Sequence, residues 1–445
     1  MKSNLRMLSL CLLLGAAPLW AQQQSGDEEG SLPASNGKEE NLPQQKKSRL
    51  TLGGYGEAVY SRNFYSDSWK RYRTDNIAEL QGARHGRFDI PHVVFYIGYD
   101  FGKGWTMGSE IEFEHGGTES AVEMEADEGG EYESEIERGG EVALEQFWIQ
   151  KSFCPELNLR MGHIIVPVGA TNGQHMPTEF FGVYRPEGEN TILPCTWHET
   201  GISIWGRAGD WRYEALLLPG LDSDRFGTQN WIQGGAGSPY EFKIANSLAG
   251  AFRVDNFSVP GLRLSLSGYV GNTFSNTLTQ PNSTYEDVKG TVAIGAFDFH
   301  YDAHNWIVRG NFDYGHLTDA DRITAFNKKM RDDSPSPKQN VASDAMAAGL
   351  EAGYNLFSQI DKMQRKSQKL YVFGRYDYYD SMYKTTGGVM QYDWCGRHRI
   401  AAGVNYYPLK DIVLKGEYSI GLLKSKYNNE PSLSFGVAYA GFFTK

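Results

Sequence analysis

Long stretches of the chain alternate apolar and polar residues one by one. Within residues 411–423, Leu414 and Tyr418 fall at even positions, whereas Lys415 and Glu417 fall at odd positions. Successive side chains of a β-strand point to opposite faces, so this stretch predicts a strand with one apolar and one polar face. Alternation over about ten residues is typical of a strand that crosses a membrane in a barrel, whereas strands of soluble proteins are mostly shorter.

Similar stretches recur along the chain and predict about sixteen strands, an even number as in bacterial single-chain barrels. We expect them near residues 50–60, 86–99, 105–115, 141–153, 157–168, 198–207, 210–218, 244–256, 261–273, 290–302, 305–317, 344–357, 369–381, 397–408, 411–423 and 431–443. Links after even-numbered strands are short, except for a longer basic link after the twelfth strand, and most links after odd-numbered strands are long. The pattern therefore predicts an all-β, transmembrane, antiparallel up-and-down β-barrel of about 16 strands, with short periplasmic turns, long external loops and a periplasmic N-terminus.

Composition agrees with this prediction and narrows it. The chain has 445 residues, of which 40% are hydrophobic and 13% aromatic, and 51 are glycines. Beyond the N-terminus no apolar run approaches the about 18 residues that a membrane-spanning helix needs, which excludes a helical membrane protein. Disorder of the whole chain is excluded too, because disordered chains contain few aromatic residues.

The N-terminus has the features of a secretory signal. Residues 1–21 have a short basic start and an apolar stretch, and they predict a signal peptide that is cleaved after Ala21. Residues 22–48 are polar and lack periodicity, so we expect a disordered periplasmic tether. Residues 49–445 then form the barrel, and the predicted location is the outer membrane of a Gram-negative bacterium, in contact with its lipid.

Negative charge is concentrated in one segment. Residues 110–141 carry thirteen acidic residues and one basic residue, Arg138, a net charge of −12, whereas the whole chain carries −11. The remainder is close to neutral, which disfavours nucleic acid as a partner. The segment lacks the spaced ligands of a Ca²⁺ loop, so we interpret it as a solvated run and expect no metal or other cofactor.

Cleavage of the predicted signal peptide would leave three cysteines, Cys154, Cys195 and Cys395, and whether Cys195 and Cys395 pair stays open.

The segment after the predicted fifth strand combines prolines with large apolar residues. Residues 169–197 and their flanks contain four prolines, which exclude a continuous strand or helix, yet they also contain Phe180, Phe181 and Trp197. A loop surrounded by water would not be so apolar. We therefore predict that residues 169–197 fold back into the barrel as a constriction loop.

The same segment carries spaced motifs. They are Pro167-x-Gly169-x-x-Asn172-x-x-His175-x-Pro177, Arg185-Pro186-Glu187 and Leu193-Pro194-x-Thr196-Trp197-x-Glu199. Over residues 157–205 the sequence resembles outer-membrane porins related to the phosphate-selective porin family. The resemblance implies a constriction loop after the fifth strand, a homotrimer, and passive diffusion of small hydrophilic solutes or of anions such as phosphate.

Strand parity assigns charged residues to the inner wall. The pore-lining candidates are Arg87, Glu110, Glu112, Arg160, Arg309, Arg375 and Lys415. The constriction-loop candidates are Asn172, His175, Arg185, Glu187 and His198. Charges on an inner wall set the field that an ion meets in the pore. Alternatively, these charges pair across strands, and Arg185 fixes the loop to the wall.

An enzyme is disfavoured because catalytic motifs are missing. His198-Glu199 lacks the second histidine of a zinc-binding helix, and the chain has no nucleophile elbow. The sequence thus predicts a water-filled diffusion channel without catalytic, cofactor or metal residues. The alternative is a surface adhesin or binding protein that uses the long loops, and a hydrolase embedded in the barrel is a more distant third hypothesis.

Overall fold

A computed structural model describes residues 49–66, 84–115, 121–126, 132–137, 142–194, 196–237, 242–277, 285–329, 340–424 and 427–444. The predicted signal peptide, the predicted tether and Cys195 lie outside the described residues. Within the acidic segment the backbone forms a hairpin, in which Ala121–Ala126 pairs antiparallel with Tyr132–Glu137.

Sixteen antiparallel strands close into one barrel, as the alternation predicts. The strands are β1 Leu50–Asn63, β2 in two segments His85–Asp89 and His92–Gly102, β3 Trp105–Glu114, β4 Val142–Cys154, β5 Leu157–Ile165, β6 His198–Ala208, β7 Trp211–Pro219, β8 Leu248–Val259, β9 Leu262–Asn272, β10 Thr291–Ala303, β11 Trp306–Leu317, β12 Asp344–Asn355, β13 Lys369–Lys384, β14 Gly396–Leu409, β15 Ile412–Leu422 and β16 Ser432–Phe442. Each strand pairs with its neighbours in sequence, and β1 also pairs with β16, where Tyr55 lies opposite Ala440.

The predicted strand bounds are accurate to a few residues, and two differences have local causes. The fifth strand ends at Ile165 instead of residue 168, because Pro167 has no backbone N–H with which to continue the ladder. The eighth strand begins at Leu248 instead of residue 244, since the preceding residues belong to a folded loop.

The barrel wall is polar inside and apolar outside, the reverse of a soluble core. In β15 the outward Leu414 and Tyr418 are 45% and 47% exposed, whereas the inward Lys415 and Glu417 are 4% and 8% exposed. The lipid-facing band implied by this alternation runs around all sixteen strands. Exposed aromatic side chains lie at the ends of strands beside the short turns: Phe101, Trp105, Phe153, Trp211 and Trp306.

The two ends of the barrel differ, as the link lengths predict. At one end, tight turns such as Lys103-Gly104 and His304-Asn305 join the strands, with positive φ at all four residues. The link between β12 and β13 is longer and contains a 3₁₀ turn, Leu356–Gln359, and the short helix Asp361–Gln364. At the other end, long loops follow the odd-numbered strands.

The long loops after β7, β9, β11 and β13 pack together, and we call them the loop cluster. They include the 3₁₀ turns Ser223–Arg225 and Gln233–Ala236 and a helix, Ala320–Lys329. Trp231 is fully buried there, and its indole Nε1 donates to the carbonyl of Ala342 at 3.0 Å. No helix among the described residues is long and apolar enough to cross a membrane.

Candidate functional site: the lumenal loop and its walls

The segment between β5 and β6, residues 166–197, lies inside the barrel, and we call it the lumenal loop. Its neck is closed by the backbone N–H of Val166, which donates to the carbonyl of Trp197 at 2.8 Å. Asn172 clasps the same neck, because its Nδ2 donates to the carbonyls of Val166 at 2.6 Å and Trp197 at 2.9 Å. Its Oδ1 accepts from the N–H of Trp197. Asn172 therefore braces the loop instead of facing the pore.

A buried carboxylate and an arginine hold the loop in shape. Glu189, in helix α1 (Glu187–Ile192), accepts from the backbone N–H of Ala170 at 2.8 Å and of Thr171 at 2.9 Å. Arg185 donates from Nε to the carbonyl of His175 at 3.1 Å. It also donates from Nη1 to Oγ1 of Thr196 at 2.5 Å. Arg185 thus links two parts of the loop to each other and does not bind the loop to the wall through these contacts.

One side of the loop is bound to β12 and β15. Lys415 donates from Nζ to the carbonyls of Phe180 at 3.0 Å and Gly182 at 2.7 Å. Glu417 accepts from the N–H of Val183 at 3.0 Å. Gly182 allows this close approach, since a Cβ there would lie 2.3 Å from Nη1 of Arg375. These contacts use inward-facing wall charges to hold backbone groups of the loop.

The loop reaches other strands as well, so it crosses the lumen. Arg253 of β8 donates to the carbonyl of Gly169 at 2.8 Å. At the far side, Glu187 accepts from the hydroxyl of Tyr379 at 2.6 Å and lies 3.2 Å from Nη1 of Arg399. Aromatic packing adds to the contact, because Phe181 stacks on Phe373 at 5.2 Å between ring centroids.

Among the described residues, two of the open spaces lie beside the loop. The larger opening, of about 890 Å³, lies between the loop and strands β4–β9. The smaller opening, of about 610 Å³, lies between the loop and strands β10–β13.

Arginines dominate the wall of the larger opening, and we call them the basic sector. They are Arg160, Arg207, Arg212, Arg253 and Arg263. The carboxylates that line the same opening are Glu214 and Asp255. A third carboxylate, Asp298, contacts Arg253 and Arg263.

Most of the described ion pairs of this sector form a chain. Arg212 contacts Glu214 at 2.6 Å and Asp255 at 3.1 Å. Arg253 and Arg263 share Asp298 at 2.9 and 2.7 Å.

Arg160 is held differently from its neighbours. Its Nε donates to Oε1 of Gln150 at 3.1 Å, and its guanidinium lies 4.8 Å from the ring of Trp148 and 5.5 Å from that of Trp205. Among the described residues, no carboxylate lies within ion-pair distance of Arg160. Arg160 also lines the larger opening.

Carboxylates cluster on the adjoining wall, and we call them the acidic sector. They are Glu57 of β1, Glu110 and Glu112 of β3, and Glu145 of β4, each at most 7% exposed. His92 lies between two of them, with Nδ1 2.9 Å from Glu57 and Nε2 3.9 Å from Glu112. The two sectors are neighbours on the barrel wall and carry opposite charge.

Several other predicted residues pair across strands or with the loop. Arg309 of β11 contacts Glu351 of β12 at 2.6 Å, and Arg375 of β13 contacts Glu417 of β15 at 3.5 Å. Arg87 is exposed to the lumen, where it donates to Ser61 and lies 5.4 Å from the ring of Tyr184. For Arg309 and Arg375 the geometry matches the cross-strand alternative stated above.

His198 is not where a constriction residue would lie. It is the first residue of β6 and shares the strand parity of the exposed Ile202 and Ile204. Its Nδ1 lies 2.6 Å from Nε2 of His163, which has the outward parity of β5. Because His198 belongs to β6 and has the outward parity of that strand, its side chain points away from the lumen.

Comparisons with known proteins establish the fold. No protein family matches the sequence. An uncharacterized protein of Aquifex aeolicus (strain VF5) is 28% identical over 395 residues, which cover 87% of this chain and 79% of that protein. The phosphate-selective family thus stays a prediction from resemblance.

Solved structures with the same architecture are outer-membrane porins. OmpF of Salmonella typhi, in complex with daunomycin, has a TM-score of 0.51 at 10% identity, over 88% of this chain and 97% of that chain. The outer-membrane channel DcaP of Acinetobacter baumannii has a TM-score of 0.50 at 10% identity, over 89% of this chain and 99% of that chain. The closed 16-stranded barrel is therefore a porin fold.

Proposed function

We propose that this chain is an outer-membrane channel for passive diffusion of small hydrophilic solutes, and that its lumen favours anions. The observation that carries the proposal is the larger opening, in which five arginines face two carboxylates. A low-dielectric wall strengthens the field of such charges on a passing ion. The porin fold supports a channel in preference to an enzyme.

Electrophysiology tests both parts of the proposal. Purified protein in a planar bilayer should give stepwise conductance, and the reversal potential under a KCl gradient should have the sign of an anion-favouring pore. Folded protein that inserts without conducting would favour the adhesin alternative. Cation selectivity would contradict the assigned preference and leave the channel intact.

We further propose that the lumenal loop narrows the channel. Deletion of residues 178–190 removes the groups that Lys415 and Glu417 hold, so single-channel conductance should rise. Deletion of residues 118–137, in the acidic hairpin, is the matched control and should change conductance less. Equal conductance of wild type and the loop deletion, both folded, would contradict the proposal.

We also propose that the protein is a homotrimer whose long loops face the outside and whose N-terminus faces the periplasm. An epitope inserted after Gly129 should be detected on intact cells, whereas the same epitope inserted after Gly30 should be detected only after permeabilisation. The reverse result would invert the assigned orientation. Light scattering of detergent-purified protein measures the oligomer, and a monomer would contradict the trimer.

A further inference from the structure

Three buried ligand groups meet where the lumenal loop touches the acidic sector. They are the carboxylates of Glu110 and Glu145 and the imidazole of His175, and one potential ligand atom of each lies within 4.8 Å of the others. All three residues are at most 4% exposed. Two belong to the wall and the third to the loop, so the group joins two separate parts of the fold.

The atoms that face one another here are hydrogen-bond acceptors. Nδ1 of His175 lies 3.0 Å from the carbonyl of Asn172, which can only accept, so Nδ1 carries the proton of the neutral ring. Nε2 then presents a lone pair, and it lies 3.8 Å from Oε1 of Glu145. Oε1 has no hydrogen-bond partner among the described residues. A buried lone pair opposite a buried carboxylate oxygen is unfavourable unless a proton or a metal cation lies between them.

The backbone of β4 is shaped to direct Glu145 into this space. In the pairing of β3 with β4, Glu110 lies opposite Gln146 and Ile111 lies opposite Leu144, so Glu145 is the extra residue of a β-bulge. Strict alternation would place Glu145 and Gln146 on opposite faces, yet they are 1% and 8% exposed. Bulges commonly redirect a side chain next to a functional site.

Each of the three groups is also oriented by a second partner. The carbonyl of Asn172 fixes the ring of His175. The hydroxyl of Tyr55 donates to Oε2 of Glu145 at 3.3 Å, and the amide of Gln146 donates to Glu110. Such outer partners are typical of groups that bind metal ions, because they fix tautomer and direction.

We propose that Glu110, Glu145 and His175 bind one divalent transition-metal cation, which ties the lumenal loop to the barrel wall. One imidazole with two carboxylates suits Zn²⁺ and its neighbours, whereas Mg²⁺ and Ca²⁺ favour sites made entirely of oxygen. Zn²⁺ lies about 2.0–2.2 Å from such ligands, so the three atoms have to draw closer on binding.

Zinc titration of the folded, full-length protein tests the site directly. Untagged protein, purified in detergent and treated with a chelator, should bind one Zn²⁺ per chain in calorimetry. Glu145→Gln and His175→Gln should each weaken that binding by about tenfold or more, since each removes a ligand. The matched controls are Glu156→Gln and His316→Gln, which change an exposed glutamate and a half-exposed histidine elsewhere. Heat-modifiable migration in electrophoresis verifies that every variant is folded.

Spectroscopy distinguishes this site from adventitious binding to the acidic hairpin. The X-ray absorption fine structure at the zinc edge of the zinc-loaded protein should contain the signal of one imidazole ligand. That signal should be lost in His175→Gln and kept in His92→Gln. Unchanged zinc affinity in both Glu145→Gln and His175→Gln would overturn the proposal, as would an all-oxygen shell. None of these readouts depends on conduction, so a failure here leaves the proposed channel untouched.

Discussion

The basic and acidic sectors lie side by side on the barrel wall but neutralise their charge in different ways. In the basic sector, carboxylates are interleaved with arginines, so that the single carboxylate of Asp298 contacts both Arg253 and Arg263. In the acidic sector, the contacts given by described residues come from neutral or weakly basic groups, such as His92 with Glu57. The basic sector therefore contains a cross-linked ion network, whereas the described contacts of the acidic sector involve imidazole, hydroxyl and amide groups.

The difference between the two sectors indicates which charged side chains exert a net electric field on a solute in the lumen. An arginine whose guanidinium is divided between two carboxylates contributes little net field, because the opposite charges lie within one ion-pair distance. Arg160 is held by Gln150 and two indole rings instead of by a carboxylate at ion-pair distance among the described residues. The paired arginines of the basic sector therefore stabilise the wall, and under the proposed function we expect Arg160 to contribute more than they do to the field that an ion meets.

The largest expected effect comes from breaking the network at its shared carboxylate. Asp298→Ala leaves Arg263 without the carboxylate that it contacts and removes one of two from Arg253. Loss of one partner of a buried ion pair costs about 3 kcal/mol of unfolding free energy. Urea unfolding in detergent, followed by tryptophan fluorescence, measures the change.

A second aspartate-to-alanine change is the matched control for that measurement. Asp287 is 76% exposed in its pair with Arg322, and exposed pairs contribute little. Asp287→Ala should leave the unfolding curve unchanged. Equal unfolding curves for wild type and Asp298→Ala would show that the ion network does not contribute to the free energy of unfolding.

The second-largest expected effect is on ion selectivity, and substitution of Arg160 should change it more than substitution of Arg375. Arg160→Ala removes a charge with no carboxylate at ion-pair distance among the described residues, whereas Arg375→Ala removes one that already contacts Asp377 and Glu417. The reversal potential under a KCl gradient should therefore shift toward cations more in Arg160→Ala. Arg160→Lys keeps the charge and should shift it less. A larger shift in Arg375→Ala would reverse the ranking of the two residues.

Alternation along the sequence predicts the sixteen strands because lipid on one side and water on the other impose the same parity on every strand. The same parity would have identified Arg212, Arg253 and Arg263, which follow it. Glu145 departs from parity at a bulge, and no pattern of period two anticipates an inserted residue. The inward loop was predictable from its prolines and aromatic residues, but its hydrogen bonds to Lys415 depend on contacts distant in sequence.

A smaller effect of opposite sign is expected in the acidic sector. Glu57→Gln removes one negative charge beside His92, so the reversal potential should shift toward anions. The shift should be smaller than that of Arg160→Ala, because Glu57 does not line either opening among the described residues. Glu156→Gln, in an exposed turn, is the matched control and should have no effect. A shift toward cations in Glu57→Gln would contradict the assigned role of the acidic sector.

The loop cluster contains a second group of buried carboxylates, and it allows the same contrast to be tested outside the membrane-spanning strands. Asp222 and Asp224 are 5% and 1% exposed. Burial, together with the charge of Asp224, raises the pKa of Asp222 to about 7 from its usual value of 3.8. The folded loop therefore holds the proton more tightly than the unfolded loop does. The stabilisation that protonated Asp222 contributes is complete below about pH 4 and is lost as the pH rises through about 7.

Hydrogen exchange of residues 220–237, corrected for the intrinsic rate, should accordingly show weaker protection at about pH 8 than at about pH 5.5. Asp222→Asn removes the titrating group while keeping an oxygen that can accept from the N–H of Asp224, as Asp222 does at 3.0 Å. In that variant protection should stay nearly constant over the same range. Strand β9 supplies an internal control, since its backbone ladder contains no comparable pair. Equal protection of the wild-type loop at both pH values would show that Asp222 is already ionised at the lower pH. The buried carboxylate would then be tolerated because the positive charges of Lys243 and Arg225, which lower its pKa, offset its negative charge.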